Sequence, residues 1–386
     1  MSLKVRRFLI FAAIVSTVVF TAFINEKSKN TSSSTTKSEA VASEGTQKEK
    51  FNPGEMIMEH VLDAHEWHIT QFGNYPIVLP LPVILYDQGK FVCFMSSKFV
   101  SVDPVTNIYG YKAYQGYKIE DAEGANKGKI VKVLPNTETT DENAKLPFDF
   151  SITKTVFAML MSLVIMCFVF ISVARSYKKR PNQAPKGLQS LLEPIILFVR
   201  DDIAKPSIGE DRYARFMPFL LTIFFFILTN NILGVIPIFP GGANVTGNIA
   251  VTMTLAVFTF IITTFSTDKH YWRHLVDMPG VPIWLKLPVP LMPFVEIFGV
   301  FIKPVVLMIR LFANITGGHI IILGFVCLIF IFGNVNPWLT TVVGPFSFLF
   351  MIFVYMLELL VAFLQAYVFT LLSALYFGMA KVGSHH

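Results

Sequence analysis

The ionisable residues in the last two apolar stretches are few: Glu296, Lys303, Arg310, His319 and Glu358, alongside the amides Asn314 and Gln365. They stand in two apolar stretches, about 287–332 and 337–380, each roughly twice the ~20 residues that one helical bilayer crossing needs. Charged groups in such surroundings are expensive, so they mark an ion pathway or a paired structural site. At about 100° per helical residue, Glu296, Lys303, Arg310 and Asn314 share one stripe, while His319 points to the opposite face. Glu358 and Gln365 share a face on the final stretch. If the two helices run antiparallel, His319 meets Glu358 and Arg310 lies level with Gln365. That layout makes two proton half-routes separated by a permanent cation. A structural pair of Arg310 with Glu296 is excluded by distance, because 14 helical residues span about 21 Å. Lys303 reads as a snorkelling rim charge. Gly317 and Gly318 allow close backbone approach.

These residues need membrane helices to hold them. The chain is 53% hydrophobic and 15% charged, with mean hydropathy +0.56, against about 25% charged in ordinary soluble domains. A disordered chain or an ordinary soluble enzyme is therefore excluded. Residues 25–152 carry 13 Lys/Arg against 17 Asp/Glu, and residues 153–386 carry 16 against 9. The basic residues flank apolar spans rather than forming a patch with stacking aromatics, so no nucleic acid is implied. Further spans are read at 153–174, 216–238 and 248–267, with an amphipathic, non-spanning stretch at 188–200. Arg175, Lys178, Lys179 and Arg180 follow the first span and place its end in the cytoplasm by the positive-inside rule. Lys269, Arg273 and Lys286 mark that side again, and the tail is then cytoplasmic. Asn248, Asn230 and Asn231 stand at span ends and read equally as channel lining or as helix-end hydrogen bonders.

Residues 1–24, with Lys4, Arg6 and Arg7 before an apolar run, look like a signal peptide or an uncleaved anchor. Residues 25–50 read as a flexible linker. Within the extracytoplasmic region 51–150, residues 56–69 read as a short helix bearing His60, His65 and His68. A zinc site would want a further ligand, so a polar helix on the membrane surface is the plainer reading. Short apolar pieces at 77–79, 83–86, 91–94, 111–114 and 130–133, broken by Gly, Pro, Asn and Asp, read as strands of a small β-rich module. Cys93, Cys167 and Cys327 lack metal-ligand spacing. The fold class is thus an all-α polytopic membrane protein of about five transmembrane helices, the last two either long and tilted or hairpins, plus that module. The membrane domain is 151–386.

The segment MIRLFANITGGH at 308–319 and LELLVAFLQAYVFTLLSALY at 357–376 closely resemble subunit a of F-type ATP synthases. PFVEIFGVFIKP at 293–304, SLLEPIILFVRDDIAKPSIG at 190–209 and RFMPFLLTIFFFILTNNILGVIP at 215–237 extend the resemblance over about 188–380. It implies that Arg310 is the essential stator arginine. Asn314, His319, Glu358 and Gln365 match half-channel positions, and Glu296 matches the cytoplasmic-side carboxylate. Asn248 joins the candidates. Some relatives carry an acid where His319 stands and a His where Glu358 stands. The implied partners are a rotor ring of c subunits, peripheral-stalk b subunits, the catalytic head indirectly, and the lipid of a bacterial inner membrane. No cofactor and no ATP chemistry in this chain are expected, because no P-loop sequence is present. The rival is a self-contained ion transporter, for which inverted repeats are expected and none is found. A mere anchor for the outer module would not need Arg310, His319 and Glu358 aligned in depth.

The charge pattern generates a topology test. A cysteine introduced near Gly116, with Cys93 replaced, reacts with an impermeant thiol reagent added outside cells, and one near Gln183 does not. Labelling of the Gln183 position alone inverts the orientation.

Overall fold

The computed structural model describes residues 53–72, 75–102, 109–120, 126–134, 139–141, 144–179, 183–236, 241–266, 291–335 and 337–379. The signal-like segment 1–24, the linker 25–50 and the basic stretch 269–286 lie outside the described residues. The described residues divide into two compact units, one within Glu66–Pro80 and Ser97–Leu146, the other within Asn52–His65, Leu81–Ser96 and Pro147–His386.

The first unit is built from short antiparallel pairs. Strand β1 (Glu66–Phe72) pairs with β2 (Tyr75–Pro80). In the same unit β5 (Val100–Val102) pairs with β6 (Tyr109–Tyr111), and β7 (Tyr117–Ile119) with β8 (Ile130–Lys132). Trp67, Phe99, Tyr117, Ile119, Ile130 and Val131 are its buried apolar residues. Glu66 is also buried, and the Tyr111 hydroxyl donates to its Oε1 at 2.6 Å, which removes the penalty of an unpaired buried acid.

The second unit begins with helix α1 (Pro53–Val61). The helix expected over 56–69 therefore ends at Val61, because 66–72 is taken by strand β1. His65 stands between them, and His68 lies in the strand. The side chains of His60 and His68 lie outside the described residues. His65 Nε2 sits 2.6 Å from Asp149 Oδ2. Burial pushes the Asp149 carboxyl up, but hydrogen bonds from His65 and Ser151 outweigh it and hold the group below the usual carboxylate range. Strands β3 (Pro82–Asp87), β4 (Lys90–Met95) and β9 (Phe148–Asp149) form a three-stranded sheet in the order β4-β3-β9. Gln88 and Gly89, both with positive φ (46° and 84°), make the two-residue hairpin turn between β3 and β4, whose twist suits flanking strands.

Four described helices are long and apolar enough to cross a membrane: α2 (Lys154–Lys179), α5 (Tyr213–Val235), α7 (Leu291–Val335) and α8 (Pro337–Met379). Helix α6 (Ile249–Phe265), the fifth expected span, has 17 residues and falls at the short limit for a crossing. The two C-terminal stretches are single helices of 45 and 43 residues, not hairpins. At 1.5 Å per residue each runs about 65 Å, far more than the ~30 Å hydrocarbon layer, so each must lie strongly tilted within it. Between α2 and α5 the amphipathic α3 (Leu188–Phe198) passes through a π-helical stretch (Val199–Ala204) into the short α4 (Lys205–Ile208). Its inner side, Leu192, Val199, Ile203 and Ala204, joins Phe216, Leu220, Phe224, Leu311, Phe369 and Phe377 in one buried core. Helix α8 packs along both α5 and α7, and α6 packs on α7.

The start of α2 is tied to the sheet side of this unit. Asp63 Oδ1 accepts from Thr155 N at 3.0 Å, and its Oδ2 accepts the Thr153 hydroxyl at 2.7 Å. Lys154 N donates to Ala64 O at 2.8 Å. Donors that a helix start leaves unpaired are thus satisfied by a carboxylate, which also suits the positive end of the helix dipole. Replacing Asp63→Ala is expected to destabilise this junction by about 1–2 kcal/mol, seen as faster hydrogen exchange at amides 153–156 in the solubilised protein. Exchange unchanged from wild type contradicts the capping role.

Candidate functional site

Helix α7 presents three faces, and its polar residues fall on different ones. Leu307, Leu311, Ile315 and Ile322 are buried and make the inward face. Arg310 and Asn314 lie beside that face and are exposed, flanked by exposed Ile302, Val305, Val306 and Ile309. Among the described residues Arg310 has no hydrogen-bond or ion-pair partner. Glu296 belongs to the same helix, and its side chain lies outside the described residues.

His319 lies on the other flank of α7 and turns inward. Its Nδ1 sits 2.5 Å from Glu358 Oε1 on α8. Glu358 is only 4% exposed, and its second oxygen, Oε2, is buried with no hydrogen-bond partner among the described residues. Gly318 makes the approach possible, because a Cβ there would lie 3.2 Å from Glu358 Oε1. Gly234 on α5 faces the imidazole, whose Cε1 and Nε2 lie 4.0 Å from a Cβ built there, an ordinary contact distance. Gln365 is buried on the Glu358 face of α8, seven residues along.

Around this pair stands a polar layer that sequence reasoning left undecided or missed. Asn231 donates from Nδ2 to Ala362 O at 3.2 Å and accepts the Thr246 hydroxyl at 2.5 Å, tying α5 and the loop before α6 to α8. Asn244 Oδ1 accepts from Gly247 N at 2.8 Å, and the Thr316 hydroxyl reaches Gly247 O at 3.4 Å, one turn before His319 on α7. Asn230 Oδ1 and Asn244 Nδ2 are buried with no hydrogen-bond partner among the described residues. Such orphaned atoms among apolar helices are where water or an ion is accommodated. The one signal for them is three amides clustered about an uncharged loop. Asn248 caps α6, its Oδ1 accepting from Ala250 N at 3.0 Å.

Near the other ends of these helices, Thr259, Thr263 and Thr264 of α6 line a pocket with Lys303, Pro304 and Tyr376. Lys303 Nζ stands 5.7 Å from the Tyr376 ring centre, a cation–π distance. On the amphipathic segment, Asp201 takes Arg200 Nη2 at 2.8 Å and Lys205 Nζ at 2.7 Å. The Arg200 bond, then Lys205, holds that exposed carboxyl well below the usual range.

The ATP synthase A chain family matches residues 156–378, more than half of the chain. The chain belongs to that family. Its relatives include ATP synthase subunit a of Chloroherpeton thalassium, 46% identical over 62% of this chain and 69% of the relative. ATP synthase subunit a 2 of Chlorobaculum tepidum is 47% identical over 61% of this chain and 65% of its own length. ATP synthase subunit a of Myxococcus xanthus is 44% identical over 62% and 75%. The family match and the apolar helices together make this a multi-pass protein of the ATP synthase membrane sector. Residues 56–150 match a second family, described as a domain of unknown function (DUF8433).

The His319–Glu358 contact generates a pairwise test. If the two share one proton-exchange site, His319→Ala and Glu358→Ala each slow proton-driven ATP synthesis, with effects that do not add. The double exchange His319→Glu with Glu358→His recovers more activity than either half. The check is synthesis in inverted vesicles, normalised to assembled complex. A double exchange no better than the worse single one separates the two side chains functionally.

Proposed function

We propose that this chain is the proton-translocating stator subunit, offering two half-channels to carboxylates on a rotating ring and keeping them apart with Arg310. One observation carries the reading: Arg310 is exposed on an apolar face and makes no hydrogen bond or ion pair among the described residues, while His319 and Glu358 are paired inside. An arginine at a membrane helix centre costs about 2.5–3.5 kcal/mol on insertion scales, so that face calls for a partner carrying the opposite charge. A self-contained transporter would be expected to supply that acid from its own helices.

In this mechanism a proton enters from the extracytoplasmic side through the layer of Asn230, Asn231, Asn244 and Thr246. It passes the His319–Glu358 pair and neutralises a ring carboxylate, which then turns into lipid. After nearly a full turn the carboxylate meets the inner route, near Glu296 and the Lys303–Tyr376 pocket, and releases its proton to the cytoplasm. Arg310 drives the release. At 4 Å and an effective dielectric near 20, its attraction for a carboxylate is worth about 4 kcal/mol, or about three pH units of proton affinity. The same charge repels protons and stops the half-routes joining into a leak. Gln365 and Asn314 line the approach to it. The partners are the ring of c subunits on the Arg310 face, peripheral-stalk b subunits, and the catalytic head through them. ATP chemistry belongs to the head and not to this chain.

Arg310→Ala is expected to reduce proton-driven ATP synthesis in vesicles to background while the protein still inserts and assembles. Arg310→Lys is severely impaired, because an ammonium on a flexible stem lacks the planar fork of guanidinium. Near-normal synthesis with Arg310→Ala removes the central assignment.

A further inference from the structure

The sheet of β3, β4 and β9 has two apolar faces, and among the described residues only one is covered by protein. Cross-strand partners lie on the same face of an antiparallel pair, and the register aligns Pro82 with Met95, Ile84 with Cys93, Tyr86 with Phe91, and Tyr86 with Phe148. Phe150, whose N donates to Ile84 O, continues the row by strand alternation. No position in this row is charged. Phe91 is 70% exposed, Phe148 and Phe150 are each 62% exposed, and Met95 and Cys93 are exposed too. The alternate positions Val83 and Leu85 are buried, and Asp149, on their side, is engaged by His65. An antiparallel sheet with one core face ordinarily shows water a polar one, so this face has another neighbour.

We propose that it is a lipid-docking surface, seated in the interfacial layer of the bilayer leaflet where α2 begins. Phe150 precedes Lys154, the first residue of α2, by four positions, so even a fully extended chain leaves it within about 14 Å of the helix start. The junction is held further by Ile152 N on Pro82 O at 3.1 Å and by the Asp63 and Ala64 bonds to residues 153–155. Along α2 the apolar exposure continues through Leu160, Leu163, Val164 and Phe168, which is the surface a spanning helix gives to lipid. The aromatic row is therefore held close to the start of a helix whose exposed apolar side faces lipid. Phe is among the residues that interfacial segments bury at the headgroup–acyl boundary, and Tyr86 suits the same depth. On this reading the sheet is an interfacial float that sets the depth at which α2 enters the bilayer.

Cys93 lies in the row and offers the probe. In a Cys167→Ala, Cys327→Ala background that retains ATP synthesis, a nitroxide is attached to Cys93 in the assembled complex in phosphatidylethanolamine/phosphatidylglycerol liposomes. Its collisions with oxygen, which partitions into lipid, and with a water-soluble nickel chelate are compared by electron paramagnetic resonance. Oxygen accessibility exceeds nickel accessibility at position 93, and the ratio inverts for Lys90→Cys, on the other face, with Cys93→Ser. Nickel exceeding oxygen at position 93 overturns the proposal in favour of a solvated face. Exclusion of both reagents overturns it in favour of a covering protein.

Discussion

A guanidinium on an apolar membrane helix has to meet an opposite charge, and the arrangement around Arg310 follows from that demand. Helices α6 and α8 pack on α7, and Leu307, Leu311 and Ile315 are buried in the core shared with α5 and α8. They leave the stripe of Arg310 and Asn314 uncovered. An internal acid beside Arg310 would satisfy the charge permanently and end its usefulness. The acid that α8 does carry, Glu358, is engaged by His319 instead. In the proposed mechanism, keeping the two polar systems on different flanks of one helix lets the cation wait for an acid that comes and goes.

The inner pair makes its own demand, since a buried carboxylate with a free oxygen is stable only where its surroundings are polar and close. Gly318 supplies closeness, since a Cβ there would crowd the carboxylate. Asn231 supplies polarity and geometry together, bonding α8 at Ala362 and the loop at Thr246. A fully satisfied network would be rigid and closed to protons. Among the described residues, atoms of Asn230, Asn244 and Glu358 have no hydrogen-bond partner, which in the proposed mechanism leaves the network open to a proton.

Much of this was legible in the residues. Helical periodicity puts Arg310 and His319 on different flanks, and antiparallel register brings His319 to Glu358, because both depend only on spacing. Whether 45 apolar residues form one helix or a hairpin was not legible: Gly317 and Gly318 suit either, and packing against α5 and α8 decides it. The helix over 56–69 failed because β-branched and aromatic residues from Glu66 onward pair with β2, and pairing outweighs local preference. Asn231 was ambiguous since an amide at a span end serves a cap or a neighbour equally, and only the position of Ala362 distinguishes them. The apolar row on β3, β4 and β9 was hidden for a similar reason. Each strand alone looks half-buried, and only the register shows that Phe91, Tyr86 and Phe148 are adjacent.

The most direct test of the central claim is an experimental structure of the assembled membrane sector, read at the face of α7 that bears Arg310. The account predicts that ring helices cover that face, with a ring carboxylate within about 4 Å of the guanidinium or one water away, and with His319 and Glu358 still paired on the far flank. Lipid density against Arg310, with the ring seated on another face, would contradict it.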